Sequence, residues 1–194
     1  MSTAADAARV LSALDAVLAA AGVRWYLFGA QAVIIWGAPR LTADVDVTVV
    51  LDPQEVDRIL DPLVEAGFDP LPENPSDFVQ RTRILPVAHE PTGMPVDLVF
   101  AGPGLELEFL DNAREIDIGG RAIPVISPED LVTAKLLAGR LKDMEDAESV
   151  VVEQLERLDL GRIRHWLGVL EQSLDRRDLL PELERMVERA SRRR

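Results

Sequence analysis

Trp25-Tyr26-Leu27-Phe28-Gly29-Ala30 is a short apolar run that closes on glycine, and a little further on Arg40-Leu41-Thr42-Ala43-Asp44-Val45-Asp46-Val47 alternates two aspartates with valines. Successive side chains of a strand point to opposite faces, so Asp44 and Asp46 share one face and Val45 and Val47 the other. Two carboxylates on one face repel each other and are poor core residues. They form either the solvated side of a half-exposed strand or a seat for a divalent cation, because hard cations such as Mg²⁺ take carboxylate oxygens together with substrate phosphates. Gly29 favours the second reading. It ends the strand and opens Ala30–Trp36, a short helix that stops at Gly37. A glycine at such a turn lets a ligand approach the backbone, and the helix start offers unpaired N–H groups to an anion. A phosphate cradle facing a metal seat is what nucleotide chemistry requires.

Outward from this stretch, residues 4–21 set Val10, Leu11, Leu14 and Leu18 at helical spacing, with Gly22 as a stop. A strand spans Asp44–Leu51. Asp52-Pro53-Gln54-Glu55 then reads as a helix start capped by Asp52, and Pro62 is expected to kink or split that helix before Ala66-Gly67. Pro70 to Ser76 reads as a loop. Arg83–His89 and Pro95–Phe100 are strands about the turn Glu90-Pro91-Thr92-Gly93, and Glu115–Ile118 with Arg121–Ile126 form a hairpin through Gly119-Gly120. From Ser127 the pattern is helical. One helix, capped by Ser127, passes Lys135, Arg140, Lys142, Asp143 and Asp146, and three more span about 148–158, 161–174 and 178–190. The division expected is an α/β half, 1–126, with a helical half, 127–194, packed on it.

Composition narrows the chemistry. The 194 residues are 47% hydrophobic and 28% charged, which suits one globular unit or a small domain with an appendage. There is no cysteine, so neither disulfides nor thiolate metal sites are available, and His89 and His165 are too few for a zinc site. No charged-then-apolar leader and no apolar stretch of about 18 residues occurs, so no membrane partner and a cytoplasmic location are expected. The net charge is −13, yet residues 157–194 hold ten arginines against seven acids. An acidic body argues against unspecific nucleic-acid binding, whereas the basic tail reads either as a solvated helix or as an RNA-contacting edge.

On a continuous helix after Ser127, Lys135, Lys142 and Asp146 fall on one polar stripe, with Leu137 and Leu141 opposite. These are the only two lysines of the chain. An exposed face of charge pairs is the plain reading of such a stripe. Trp25, Trp36 and Trp166 read as packing residues and His89 as a surface residue near a turn. Arg40 and Thr42 either order the loop before the acids by hydrogen bonds or touch phosphate.

The arrangement resembles the nucleotidyltransferases of the DNA polymerase β superfamily, and within them bacterial proteins related to the AbiEii-type toxins. Gly29-Ala30 matches the glycine turn, although the family commonly has serine or glycine where Ala30 stands. Arg40-Leu41-Thr42-Ala43-Asp44-Val45-Asp46 matches the acid strand, and Asp97 in Pro95-Val96-Asp97-Leu98-Val99-Phe100 the third aspartate. Lys135, Arg140, Asp143 and Asp146 match a later helical segment. The resemblance implies an α/β (α+β) fold: a mixed-sheet nucleotidyltransferase core, flanking helices and a C-terminal helical region. It implies Asp44, Asp46 and Asp97 as catalytic ligands of Mg²⁺ or Mn²⁺, and an NTP as co-substrate. Gly29, Ala30, Arg40, Thr42, Lys135, Arg140, Asp143 and Asp146 would hold the nucleotide. The activity implied is transfer of an NMP to an acceptor hydroxyl. The acceptor is transfer RNA in a toxin with a cognate antitoxin, or a small hydroxylated antibiotic. A nucleotide-binding regulatory protein with weak turnover is the remaining alternative.

Overall fold

The apolar spacing at the start of the chain folds as α1 (Ala4–Ala20), with Val10, Leu11, Leu14 and Leu18 buried. Gly22, in the left-handed region at φ 65°, then turns the chain into β1 (Arg24–Phe28). This geometry comes from a computed structural model that describes residues 4–102 and 104–193. The chain divides into two compact units, one of Met1–Gln31 with Leu41–Ile126 and the other of Ala32–Arg40 with Ser127–Arg194.

β1 runs directly into α2 (Gly29–Trp36), whose residues from Ala32 on belong to the second unit, and in the first unit β2 (Val45–Val50) returns antiparallel to β1. Asp52 caps a 3-10 turn, Pro53–Glu55, by accepting from the Gln54 N–H at 2.9 Å. The helix expected from that cap is divided there: α3 (Asp57–Glu65) starts afresh and continues through Pro62. Starting at Asp57 leaves Pro62 near the middle of a short helix, where its missing N–H costs one backbone bond. The stretch read as a loop is irregular at 71–74, between β3 (Phe68–Pro70) and α4 (Pro75–Thr82), a helix that begins inside it and runs beyond it. Pro75 at the helix start and Asp77 in its first turn were the signals for α4. β4 (Ile84–His89), β5 (Met94–Phe100), α5 (Leu105–Asp111), β6 (Arg114–Ile118) and β7 (Arg121–Val125) complete the unit. Among the described residues the seven strands form one mixed sheet in the order β3-β4-β5-β2-β1-β7-β6. The central strands bury Trp25, Tyr26 and Leu27 from β1 and Val45, Val47 and Val49 from β2, each such side chain worth about 1.5–3 kcal/mol of apolar transfer. His89 is buried as well, at 4% exposure, with its ring 4.7 Å from that of Phe68 and Nδ1 2.8 Å from Thr92 Oγ1. The surface position expected for it is therefore corrected. The turn that follows β4 folds back under the imidazole.

The second unit is helical. α6 (Pro128–Ala138) is capped by Ser127, whose hydroxyl accepts from the Asp130 N–H at 3.1 Å. The single long helix expected after Ser127 is broken at Gly139, which adopts φ 71° and returns its N–H to the Lys135 carbonyl. α7 (Leu141–Gln154) then begins anew, so residues from 148 belong to it and not to a separate helix. α8 (Leu160–Leu174) and α9 (Leu179–Arg192) follow. Glycine alone takes the left-handed conformation without Cβ cost, and it stops a helix where it does so. Among the described residues no helix is long and apolar enough to cross a membrane.

Candidate active site

The register of β2 against β5 decides where the acids of the first unit meet. The two strands are parallel and pair Val45 with Val96, Asp46 with Asp97 and Val47 with Leu98. Apolar residues match on one face, and a slip by one residue would carry the aspartates into the core. The same register sets Asp46 and Asp97 side by side on the opposite face, both partly exposed. Asp44 lies just before β2 on the exposed loop. Its Oδ1 accepts from Thr42 Oγ1 at 2.5 Å, and its carbonyl accepts from Gln31 Nε2 at 3.3 Å. Sequence reasoning gave Gln31 no role; a polar side chain in the first turn after the glycine was the available signal. Burial, followed by the Asp44 charge, pushes the Asp97 carboxyl above its usual range. A carboxyl raised by burial and by a neighbouring acid is a common mark of a functional cluster.

Gly29 has a specific steric reason. It adopts φ 64°, and a Cβ there would lie 1.9 Å from Asp46 Oδ2. The carboxylate is thus pressed against the strand-to-helix turn, where only glycine fits. Ala30, the next residue, is buried.

The donor set of Asp44, Asp46 and Asp97 is wholly hard oxygen, with two of its members in register on neighbouring strands, and in chemistry it fits a hard divalent cation. Among the described residues, no three or more His, Cys, Asp or Glu side chains converge at ligating distances.

In the second unit, Lys135 Nζ donates to Asp143 Oδ1 at 2.9 Å and to Asp146 Oδ2 at 2.8 Å. Arg140 Nε donates to Asp143 Oδ2 at 2.5 Å, and Arg40 Nη2 to Asp146 Oδ2 at 3.1 Å. Arg40 Nε lies 3.1 Å from Asp146 Oδ1, an ion-pair distance, but it is buried and lacks hydrogen-bond geometry. Both aspartates are almost fully buried. Burial alone would raise the Asp143 carboxyl, yet the hydrogen bonds from Arg140 and Lys135 outweigh it and hold that carboxyl below its usual range. The break at Gly139 reassigns the stripe. Asp143, placed off it on a continuous helix, joins Lys135 and Asp146, whereas Lys142 and Leu141 are exposed.

Elsewhere in the first unit a cleft of about 670 Å³ opens at the end of β1 and β2 remote from Asp46, lined by Leu51, Asp52, Arg58 and Arg83 among others. Asp44, Asp46, Asp97, Asp143 and Asp146 are not among its lining residues. Along α8, α9 and the residues that flank them, Arg162, Arg164, Arg176, Arg185, Arg189, Arg192 and Arg193 each pair with an acidic side chain.

Comparison with known proteins gives the same fold. The family described as "Nucleotidyltransferase of unknown function (DUF6036)" matches residues 8–179. No curated protein matches the chain in sequence. A nucleotidyltransferase-like antigenic protein from Paracoccidioides brasiliensis is similar in structure, with TM-score 0.54 and 20% identity over 91% of each chain. ANT(2″)-Ia, solved in complex with adenylyl-2″-tobramycin, is similar with TM-score 0.61 and 12% identity, over 86% of this chain and 98% of its own. At these identities the likeness is one of fold.

Proposed function

The chain belongs to the DUF6036 family of nucleotidyltransferases, and from that premise we propose that it moves an NMP from an NTP to an acceptor hydroxyl in a metal-dependent reaction in the cytoplasm. The observation that carries this reading is the in-register pairing of Asp46 with Asp97, with Asp46 held against the Gly29 turn. Asp44, Asp46 and Asp97 are the residues that would hold Mg²⁺ or Mn²⁺, whose charge would offset that developing on the triphosphate and the acceptor oxygen. Gly29 and Ala30 would let the β- and γ-phosphates approach the start of α2. Asp97, beside Asp46 on the neighbouring strand, would take the proton from the acceptor hydroxyl. That oxygen bonds to the α-phosphorus, the bond from the α-phosphorus to the bridging oxygen breaks, and pyrophosphate leaves. Catalysis of this kind rests on positioning and charge neutralisation.

The resemblance to AbiEii-type proteins supports transfer RNA as acceptor and a role as the toxin of a toxin–antitoxin pair. A small hydroxylated antibiotic is the second reading. It is favoured by the ion pairing of the C-terminal arginines, which leaves a weak electrostatic footing for RNA, and it matches the tobramycin adduct seen with ANT(2″)-Ia. The test is incubation with Mg²⁺ and each α-labelled NTP, using bulk transfer RNA in one arm and aminoglycosides in the other. Label is expected in one acceptor and lost in Asp46→Asn. Transfer that survives Asp46→Asn overturns the carboxylate assignment, and NTP binding without transfer to any acceptor leaves a binding protein.

A further inference from the structure

We propose that Asp146 is a positioning residue, which through Arg40 fixes the loop that delivers Asp44; this rests on the reading of Asp44 as part of a nucleotidyl-transfer site.

The segment Ala32–Arg40 is part of the helical unit although it lies between Gly29 and Asp44 in sequence. It docks on α7. Arg40 is paired with Asp146, the Ala38 N–H donates to Ser149 Oγ at 2.7 Å, and Gln154 Nε2 donates to the Trp36 carbonyl at 2.8 Å. A Cβ on Gly37 would lie 2.6 Å from Ser149 Oγ, so glycine allows the backbone to come this close. Asp146 and Ser149 lie one turn apart on α7, and Gln154 is its last residue.

The loop beyond Arg40 has little burial of its own. Leu41 is 80% exposed, and Ala43 and Asp44 are exposed as well. A segment without apolar contacts opens easily unless polar ties hold it. The ties present are Arg40 to Asp146 at one end, and Thr42 and Gln31 to Asp44 at the other. Asp146 is 4% exposed and shares Oδ2 between Lys135 and Arg40. Lys135 spends two of its three donors on Asp143 and Asp146, which locks the orientation of the carboxylate that Arg40 grips. Only three residues stand between Arg40 and Asp44, so a shift at one end of the loop reaches the other.

Two measurements test this on the full-length protein. Hydrogen–deuterium exchange of the backbone over residues 38–44 is expected to rise about tenfold or more in Arg40→Gln and in Asp146→Asn, with β1 and β2 unchanged and Arg40→Lys close to the parent. Transfer of label from Mg²⁺-ATP, or from whichever NTP the parent uses, is expected to fall in kcat by on the order of 10²-fold, with KM for the NTP little changed. The double variant is expected to be no worse than the poorer single one, because both remove the same tie. Unchanged loop exchange in Arg40→Gln, or effects that multiply in the double variant, would overturn the proposal. Arg40 is 23% exposed, so Arg40→Gln decides the matter even if Asp146→Asn fails to fold. A parent protein no more active than Asp46→Asn removes the transfer reading, while loop exchange still reports whether Asp146 holds the loop.

Discussion

At the scale of single residues, the acids of the first unit set stability against function. Asp46 and Asp97 lie opposite each other on paired strands, an arrangement that destabilises a sheet when both are charged. The Asp97 carboxyl has a raised folded-state pKa, so its stabilising contribution is present below the unfolded value of 3.8 and is lost as pH rises through the folded one. Asp97→Asn is therefore expected to raise the melting temperature at neutral pH while reducing transfer to background, and a melting temperature lowered by that change would contradict the reading. His89 has the opposite sign. Burial, and then the charge of Arg9, hold its imidazole below 6.5. The unfolded chain takes up the proton first, so this contribution is full above about pH 6.5 and declines as pH falls through the folded value. Thermal melts at about pH 7.5 and pH 5 should show a larger drop for the parent than for His89→Gln.

At the scale of elements, one glycine decides the geometry of the polar cluster. A helix continued through Gly139 would keep Asp143 off the Lys135 stripe; the left-handed turn brings Asp143 and Asp146 onto the same ammonium. Gly139→Ala meets no close contact from the new Cβ, the nearest atom being 3.9 Å away, so its cost is conformational. It should amount to about 1–2 kcal/mol, or about 2–4 °C of melting temperature per kcal/mol for a chain of this size. The register of β2 on β5 is the other element-level device. Matching Val45, Val47, Val96 and Leu98 on the buried face is sufficient to bring the two aspartates alongside each other.

For the whole molecule, the helical unit is discontinuous in sequence. It takes Ala32–Arg40 from the first half of the chain, and α7 holds that segment through Asp146, Ser149 and Gln154. A fragment of residues 127–194 would leave Asp146 without Arg40 and the docking face of α7 uncovered. It should unfold with lower cooperativity in urea than the same helices do in the full chain, and a sharp, independent transition of the fragment would argue against that.

The sequence by itself determined the glycine turn, the central strands, the caps at Asp52 and Ser127 and the alternation of acids with valines, because these follow from local propensity and a two-residue period. It also identified the residue types of both polar groups. It did not reveal α4 or α5, nor the break at Gly139, because helix patterning reads through a glycine whose left-handed conformation depends on what packs about it. It gave no sign that Arg40 would grip Asp146 or that His89 would be buried. Pairings between residues more than a hundred positions apart depend on which faces the packed elements turn to each other, and only the tertiary structure decides that.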